Sequence, residues 1–346
     1  MPDMLTLISP KNLETITRLS GQAIRNFLSQ ADAKRYRGEA YMAINAFKAN
    51  PRNFSDNKLL AYGSHTDSAT NHPVRIEVRG KTKEGAAQMV AKGIWGFKRA
   101  QAAREISQKC KELKLGIHLK LAGTSSIEFN VDGVDKSLPV RFLQGAFADV
   151  LKEMDYRPGE HIDSRKSKTV IAADGDGTIY DGPRVGSLPT LAESPARDAL
   201  CAYLQAGGIF MLVSGNDINR TFKRLVPVLP PEVYCRVLIA GNGGAELVYV
   251  NSKGQAIPVS TYRKHALEII HDKSRRYHDL DMVYIGDDGS KEGNDYPAFR
   301  AVGFKHSVLV AREFLASYEP TLKSCYVGGL LQGTKKYLES FLKKRT

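Results

Sequence analysis

The chain has 346 residues, enough for two domains and a sizeable core. Hydrophobic residues make up 42% and charged residues 25%, an ordinary globular composition that argues against wholesale disorder. The formal net charge is +13, and it is uneven: residues 1–168 carry 28 Lys and Arg against 18 Asp and Glu, residues 169–346 only 22 against 19. The basic excess in the first half suits an anionic partner, a phosphorylated substrate before a nucleic acid. No stretch approaches the roughly 18 apolar residues of a membrane helix, so no membrane partner is expected. Met1-Pro2-Asp3 does not open a signal peptide. Cys110, Cys201, Cys235 and Cys325 are scattered, with no Cys-x-x-Cys pair, so neither a disulfide framework nor a zinc site is indicated. A cytoplasmic protein is the expectation.

In chain order, residues 11–48 read as helical, with Leu13, Ile16, Leu19, Ile24, Phe27 and Leu28 spaced mostly by three or four. Residues 49–73 read as irregular. Val74–Val78 alternates and predicts a strand; Glu84–Leu113 predicts a long amphipathic helix. Ile117–Leu121 and Ile127–Val131 read as a hairpin, and Val140–Met154 as a helix. Residues 1–157 thus form an expected basic α+β domain, a lid or a recruiter of substrate, with residues 158–168 as a polar linker. From 169 onward, short apolar strands alternate with helices. The strands are Val170–Ala173, Ile209–Val213, Val237–Ala240, Met282–Ile285 and Ser307–Val310; the helices are Pro195–Gln205, Ile218–Leu225 and Lys264–Tyr277. Strands buried on both faces and joined by helices predict a Rossmann-like, doubly wound parallel sheet, an α/β fold.

Polar residues sit just past the strand ends, where open parallel sheets bind their ligands. Asp174-Gly175-Asp176-Gly177-Thr178 delivers two carboxylates on a glycine-rich turn. Such a pair can hold Mg²⁺ or divide into nucleophile and proton donor; an Asp-Gly turn or a Ca²⁺ loop has the same letters. Ser214-Gly215-Asn216 offers a hydroxyl and backbone N–H groups to a phosphate, or is a plain helix cap. Gly286-Asp287-Asp288, followed by Glu292 and Gly293-Asn294-Asp295, crowds acidic groups that repel one another unless a cation sits among them. Oxygen-only ligands point to Mg²⁺ rather than zinc.

The ordered set of Asp-x-Asp-Gly-Thr, a strand ending in Ser, a Lys, and Gly-Asp-Asp with a following Asn-Asp resembles the haloacid dehalogenase superfamily of Mg²⁺-dependent phosphatases. The likeness covers residues 169–346. It implies Asp174 as the nucleophile that forms an aspartyl-phosphate and Asp176 as general acid and base. It implies Ser214 as the phosphate-binding hydroxyl, with Thr178, Gly215 and Asn216 lining the substrate. The metal would rest on Asp174, Asp176 through its carbonyl, and Asp287, with Asp288, Asn294 and Asp295 open as the completing ligand. The lysine of the set is assigned to Lys264, ahead of Lys223 and Lys273. Ser290-Lys291-Glu292-Gly293 lengthens the last acidic loop relative to the family, and no insertion long enough for a lid follows Thr178 or Asn242. Gly241-Asn242-Gly243-Gly244-Ala245-Glu246 and Gly328-Gly329-Leu330-Leu331-Gln332-Gly333-Thr334 look like sugar-phosphate phosphatases such as trehalose- and sucrose-phosphatase. The expectation is therefore a phosphomonoesterase, with a phosphotransferase or mutase as the nearest alternative. A nucleic-acid-binding protein with a vestigial hydrolase core is the alternative from another class.

Overall fold

The structure, a computed structural model, describes residues 38–45, 61–63, 75–80, 103–154 apart from 106, 115 and 123–125, and 169–344 apart from 183–187, 272–279 and 292. The chain divides into two units, Met1–Val134 and Asp135–Thr346. In the first, β1 (Gly38–Asn45), β2 (Ala61–Gly63), β3 (Arg75–Gly80), β4 (Ile117–Ala122) and β5 (Ser126–Val131) form a sheet in the order β2-β1-β3-β5-β4. The expected hairpin is present, with Ile117 opposite Val131 and Ala122 opposite Ser126. The expected strand at Val74–Val78 appears as β3, displaced toward Gly80.

Two local expectations are corrected. Residues 38–45, read as the tail of a helical stretch, are a strand: β1 is antiparallel to β2 and β3 and parallel to β5, so its backbone groups are taken up by three neighbours. Residues 61–63, read as irregular, pair with β1. Of the expected helix at Glu84–Leu113, residues 103–105 and 107–112 are helical, Leu113 lies in a turn, and the rest lies outside the described residues. The expected linker at 158–168 also lies outside them.

The second unit begins with α1 (Ser137–Glu153), the helix expected at Val140–Met154 within the amino-terminal domain. Its apolar face explains the reassignment. Leu138, Val140, Phe142, Leu143 and Val150 are buried, and the Phe142 ring meets Tyr262 edge-on at 4.8 Å. Both ends are tied by polar groups as well. Asp135 accepts from the Ser137 N–H at 2.8 Å, and Glu153 accepts from Ser260 N (2.7 Å) and Thr261 Oγ1 (3.0 Å) at the start of α4 (Tyr262–His271). Burying a Phe or Leu side chain contributes about 1.5–3 kcal/mol each, so this face outweighs any helix propensity in fixing where α1 lies.

The sheet of this unit has seven strands: β6 (Thr169–Asp174), β7 (Ile209–Val213), β8 (Val237–Gly241), β9 (Glu246–Val250), β10 (Ala256–Pro258), β11 (Asp281–Gly286) and β12 (Ser307–Leu309). Their order is β10-β9-β8-β7-β6-β11-β12. The five strands from β8 to β12 pair in parallel, while β9 and β10 add an antiparallel edge. Helices α2 (Arg197–Gln205), α3 (Ile218–Leu225), α5 (Tyr296–Val302) and α6 (Leu331–Lys343) complete the flanking layers. This is the expected Rossmann-like α/β architecture. Every residue of β6, β7 and β8 is buried, as strands covered on both faces must be. No helix among the described residues is long and apolar enough to cross a membrane.

Register positions the functional loops. Asp174 lies opposite Val213, Val213 opposite Ala240, and Ala173 opposite Ile285. The first residues beyond β6, β7, β8 and β11 therefore emerge at one level on the carboxyl edge.

Candidate active site

Asp174 is the last residue of β6 and is 6% exposed. Its Oδ1 lies 2.5 Å from the Nζ of Lys136, which also lies 2.7 Å from Asp295 Oδ1. Lys136 and Asp295 are both buried, at 2% and 0% exposure. Tyr284 on β11 donates its hydroxyl to the same Asp295 oxygen at 2.8 Å, while the N–H groups of Asp287 and Asp288 donate to the other at 3.1 and 3.2 Å. Four donors thus occupy the lone-pair sites of one carboxylate. Asp295 anchors Lys136 and the β11 loop. Gly286 permits the approach, because a Cβ there would meet Asp295 Oδ2 at 2.6 Å.

Asp174, Asp287 and Asp295 each offer an oxygen within 4.8 Å of the others, a cluster of three acids that could hold a metal ion. With Asp295 saturated, Asp174 and Asp287 are the pair with acceptor sites to spare. Burial pushes the Asp287 carboxyl up to about 9, with repulsion from Asp295 and Asp174 adding to it. Burial also raises Asp174, to about 7, against the pull of Lys136. For Lys136, burial alone would lower the ammonium, but the two carboxylates outweigh it and hold it above the ordinary lysine range. Three crowded carboxylates against one ammonium, with oxygen donors only, fit a hard divalent cation.

Asp176 faces the other way. Its Oδ1 accepts from Arg224 Nη1 at 2.6 Å and its Oδ2 from Asn216 Nδ2 at 3.1 Å. Arg224 is fully buried on α3; it also donates to the carbonyls of Pro189 and Asp181, and its Cζ sits 3.7 Å from the centre of the Tyr180 ring. Asp288, half-buried, accepts from Ser290 N and Oγ at 3.0 and 2.6 Å and thereby folds its own loop. Burial raises its carboxyl, and the Ser290 bonds oppose the shift. Gly177, at φ +84°, packs so closely on Asp287 that a Cβ would collide with the carboxylate. Thr178 is buried and its carbonyl accepts from Thr334 Oγ1 at 2.7 Å, which ties the loop to α6. Ser214 is 2% exposed, and its Oγ accepts from Asn216 N at 3.0 Å; Gly215 between them is half-buried.

The arrangement therefore brings Asp174, Asp176, Ser214, Asn216 and Asp287 to one edge, with Thr178 behind them. The lysine beside Asp174 is Lys136, not Lys264. Lys264 is exposed on the first turn of α4, and among the described residues no acid is paired with it. Lys136 precedes β6 by more than thirty positions in the chain, between Asp135 and the start of α1, and its surroundings read as a turn. Its partner Asp295 is one of the three candidate completing ligands; Arg224 and Tyr284 carry no local signal, being an arginine in an amphipathic helix and an apolar-strand tyrosine.

No protein-family model matches the chain, and no curated protein does. Among solved structures, an IMP-bound mutant of the Plasmodium falciparum IMP-nucleotidase overlaps 56% of this chain and 70% of its own, at 13% identity and a TM-score of 0.31. A hypothetical protein from Xanthomonas campestris overlaps 55% of this chain and 97% of its own, at 16% identity and a TM-score of 0.25. At these scores neither likeness carries an argument about activity.

Proposed function

We propose that the second unit is a Mg²⁺-dependent phosphomonoester hydrolase working through an aspartyl-phosphate at Asp174. The observation that carries this reading is the buried Lys136–Asp174 pair beside Asp287 and Asp295, on the edge of a parallel sheet where ligands bind. Asp174 and Asp287, with the Asp176 carbonyl, are the groups that would hold Mg²⁺, which when bound offsets the like charges and polarises the phosphoryl oxygens.

Lys136 holds the Asp174 carboxylate in one orientation and leaves its second oxygen to attack. The phosphorus–Oδ bond forms as the bond from phosphorus to the leaving oxygen breaks, and Asp176 gives that oxygen a proton. To donate, Asp176 exchanges its contact with Arg224, itself a donor, for the substrate. Water then attacks the aspartyl-phosphate, Asp176 takes its proton, and Asp174 is released with inorganic phosphate. The Ser214 hydroxyl and the Gly215 N–H hold the phosphoryl oxygens, since the N–H groups of Ser214 and Asn216 already donate to Ala240 O and Ser214 Oγ. Positioning and charge compensation do most of the work in such transfers. The basic first half, rich in Lys and Arg, suits recruitment of the anionic substrate.

A panel of phosphorylated sugars, nucleotides and aryl phosphates, assayed with and without Mg²⁺, tests the reading. Mg²⁺-dependent release of phosphate that disappears in Asp174→Asn is expected. Release that persists in this variant contradicts it.

A further inference from the structure

The turn after β8, Gly241-Asn242-Gly243-Gly244, lies against the loop that carries Ser214. The Asn242 N–H donates to Asn216 O at 2.8 Å and the Gly243 N–H to Ser214 O at 3.0 Å, so both carbonyls that flank Gly215 are fixed from one side. Reaching both requires an unusual backbone. Asn242 has φ +52°, in the left-handed region that a side chain rarely adopts, and asparagine is among the residues that tolerate it. Gly241 admits the close approach, because a Cβ there would meet Ile218 Cδ1 at 2.7 Å. The Asn242 side chain is 1% exposed and donates to Glu246 Oε2 at 2.9 Å, at the start of β9. Buried residues held in this region by a side-chain anchor cluster at functional sites.

We infer that Asn242, anchored by Glu246, is a positioning residue for phosphate: it sets the Ser214–Asn216 loop so that the Ser214 hydroxyl and the Gly215 N–H converge on the phosphoryl oxygens. The chain of contact is continuous. Glu246 holds the Asn242 side chain, the Asn242 N–H holds Asn216, and Asn216 in turn reaches Ser214 Oγ and Asp176 Oδ2. The inference rests on the phosphatase reading and adds to it a residue that touches neither substrate nor metal.

The test compares KM, kcat and the inhibition constant of inorganic phosphate in the full chain and in Asn242→Ala, Asn242→Gly and Glu246→Ala. Asn242→Ala is expected to raise KM and the phosphate constant together by about tenfold, with a smaller change in kcat, as a shift of the loop that weakens one of its hydrogen bonds to the anion implies. Asn242→Gly, which accepts the left-handed backbone, is expected to recover part of that loss. Should Asn242→Ala fail to fold, Glu246→Ala, which leaves the turn's own residues intact, decides by the same constant. A phosphate constant within about twofold of the parent in a folded variant, whatever the melting temperature does, overturns the inference. A parent protein that neither hydrolyses any phosphoester nor binds phosphate removes the phosphatase reading and this inference with it; unchanged variants of an active parent remove the inference alone.

Discussion

At the scale of single residues, the centre of the site is an electrostatic balance between Lys136 and the acids Asp174, Asp287 and Asp295. Replacing Lys136 by Met leaves two buried carboxylates without their ammonium, a loss of about 3–5 kcal/mol for a broken buried pair. The variant is expected to lose activity and to melt well below the parent in a scan without metal at pH 8; a melting point equal to the parent's there would contradict the assigned pairing. The same balance gives a pH dependence. Asp174 and Asp287 have carboxyls raised in the folded chain, to about 7 and about 9. Between the unfolded value near 3.8 and these folded values, the native state binds more protons than the unfolded one, so stability falls as pH rises through that window. Lys136 does not oppose this, because its contribution is fully present below the ordinary lysine range and is lost only above it. Metal-free protein should therefore melt at a lower temperature at pH 8 than at pH 5.5, and millimolar Mg²⁺ should remove most of the difference, since binding to the folded state alone stabilises it. A melting temperature that rises across this range without metal would refute the assignment.

At the scale of elements, α1 joins the site to the packing of the unit. One end presents Lys136 to Asp174, and the other presents Glu153 to the N–H groups of Ser260 and Thr261, the two residues that lead into α4. Glu153→Ala should cost about 1–2 kcal/mol, the range for losing a helix cap, and Glu153→Gln less, because its amide oxygen still accepts. Denaturant titration measures both; an unchanged midpoint in the Ala variant would show that the cap contributes nothing. The strand ends were legible in the sequence because each couples an apolar run to a polar turn: Val170–Ala173 before Asp174, Ile209–Val213 before Ser214, Met282–Ile285 before Asp287. The antiparallel pair β9 and β10 was not legible, since Glu246–Val250 follows directly on a glycine-rich turn and reads as its continuation. Lys136 was not legible for a different reason. Motif order assumes that the lysine lies between the serine and the last acids, whereas here the helix that delivers it precedes β6. A side chain brought to a site by tertiary packing leaves no mark in local spacing.

At the scale of the whole molecule, the division at Val134 puts every residue of the proposed site, Lys136 included, within Asp135–Thr346 and not within residues 169–346 alone. A fragment beginning at Asp135 should fold and hydrolyse a small aryl phosphate in the presence of Mg²⁺. One beginning at Ser164 lacks Lys136 and all of α1, exposes the apolar surface that covered Phe142, and should aggregate or melt broadly. Circular dichroism and size-exclusion chromatography of the two fragments settle the boundary, and equal folding of both would place α1 outside the core. On the proposed reading, selection of the anionic substrate falls to the first unit, with its share of the basic charge. Comparing the longer fragment with the full chain across the substrate panel measures that contribution, and identical selectivity would exclude it.

The central claim is that Asp174 becomes phosphorylated during turnover, and acid-quenched peptide mass spectrometry tests it most directly. Full-length protein mixed with Mg²⁺ and its best substrate, then quenched within the first turnovers, should yield a phosphoryl group on the peptide containing Thr169–Asp181, at Asp174, labile to hydroxylamine as an acyl phosphate must be. Asp174→Asn should show neither label nor turnover. Brisk Mg²⁺-dependent hydrolysis with no trapped phosphoryl group on Asp174, and with activity retained in Asp174→Asn, would contradict the account.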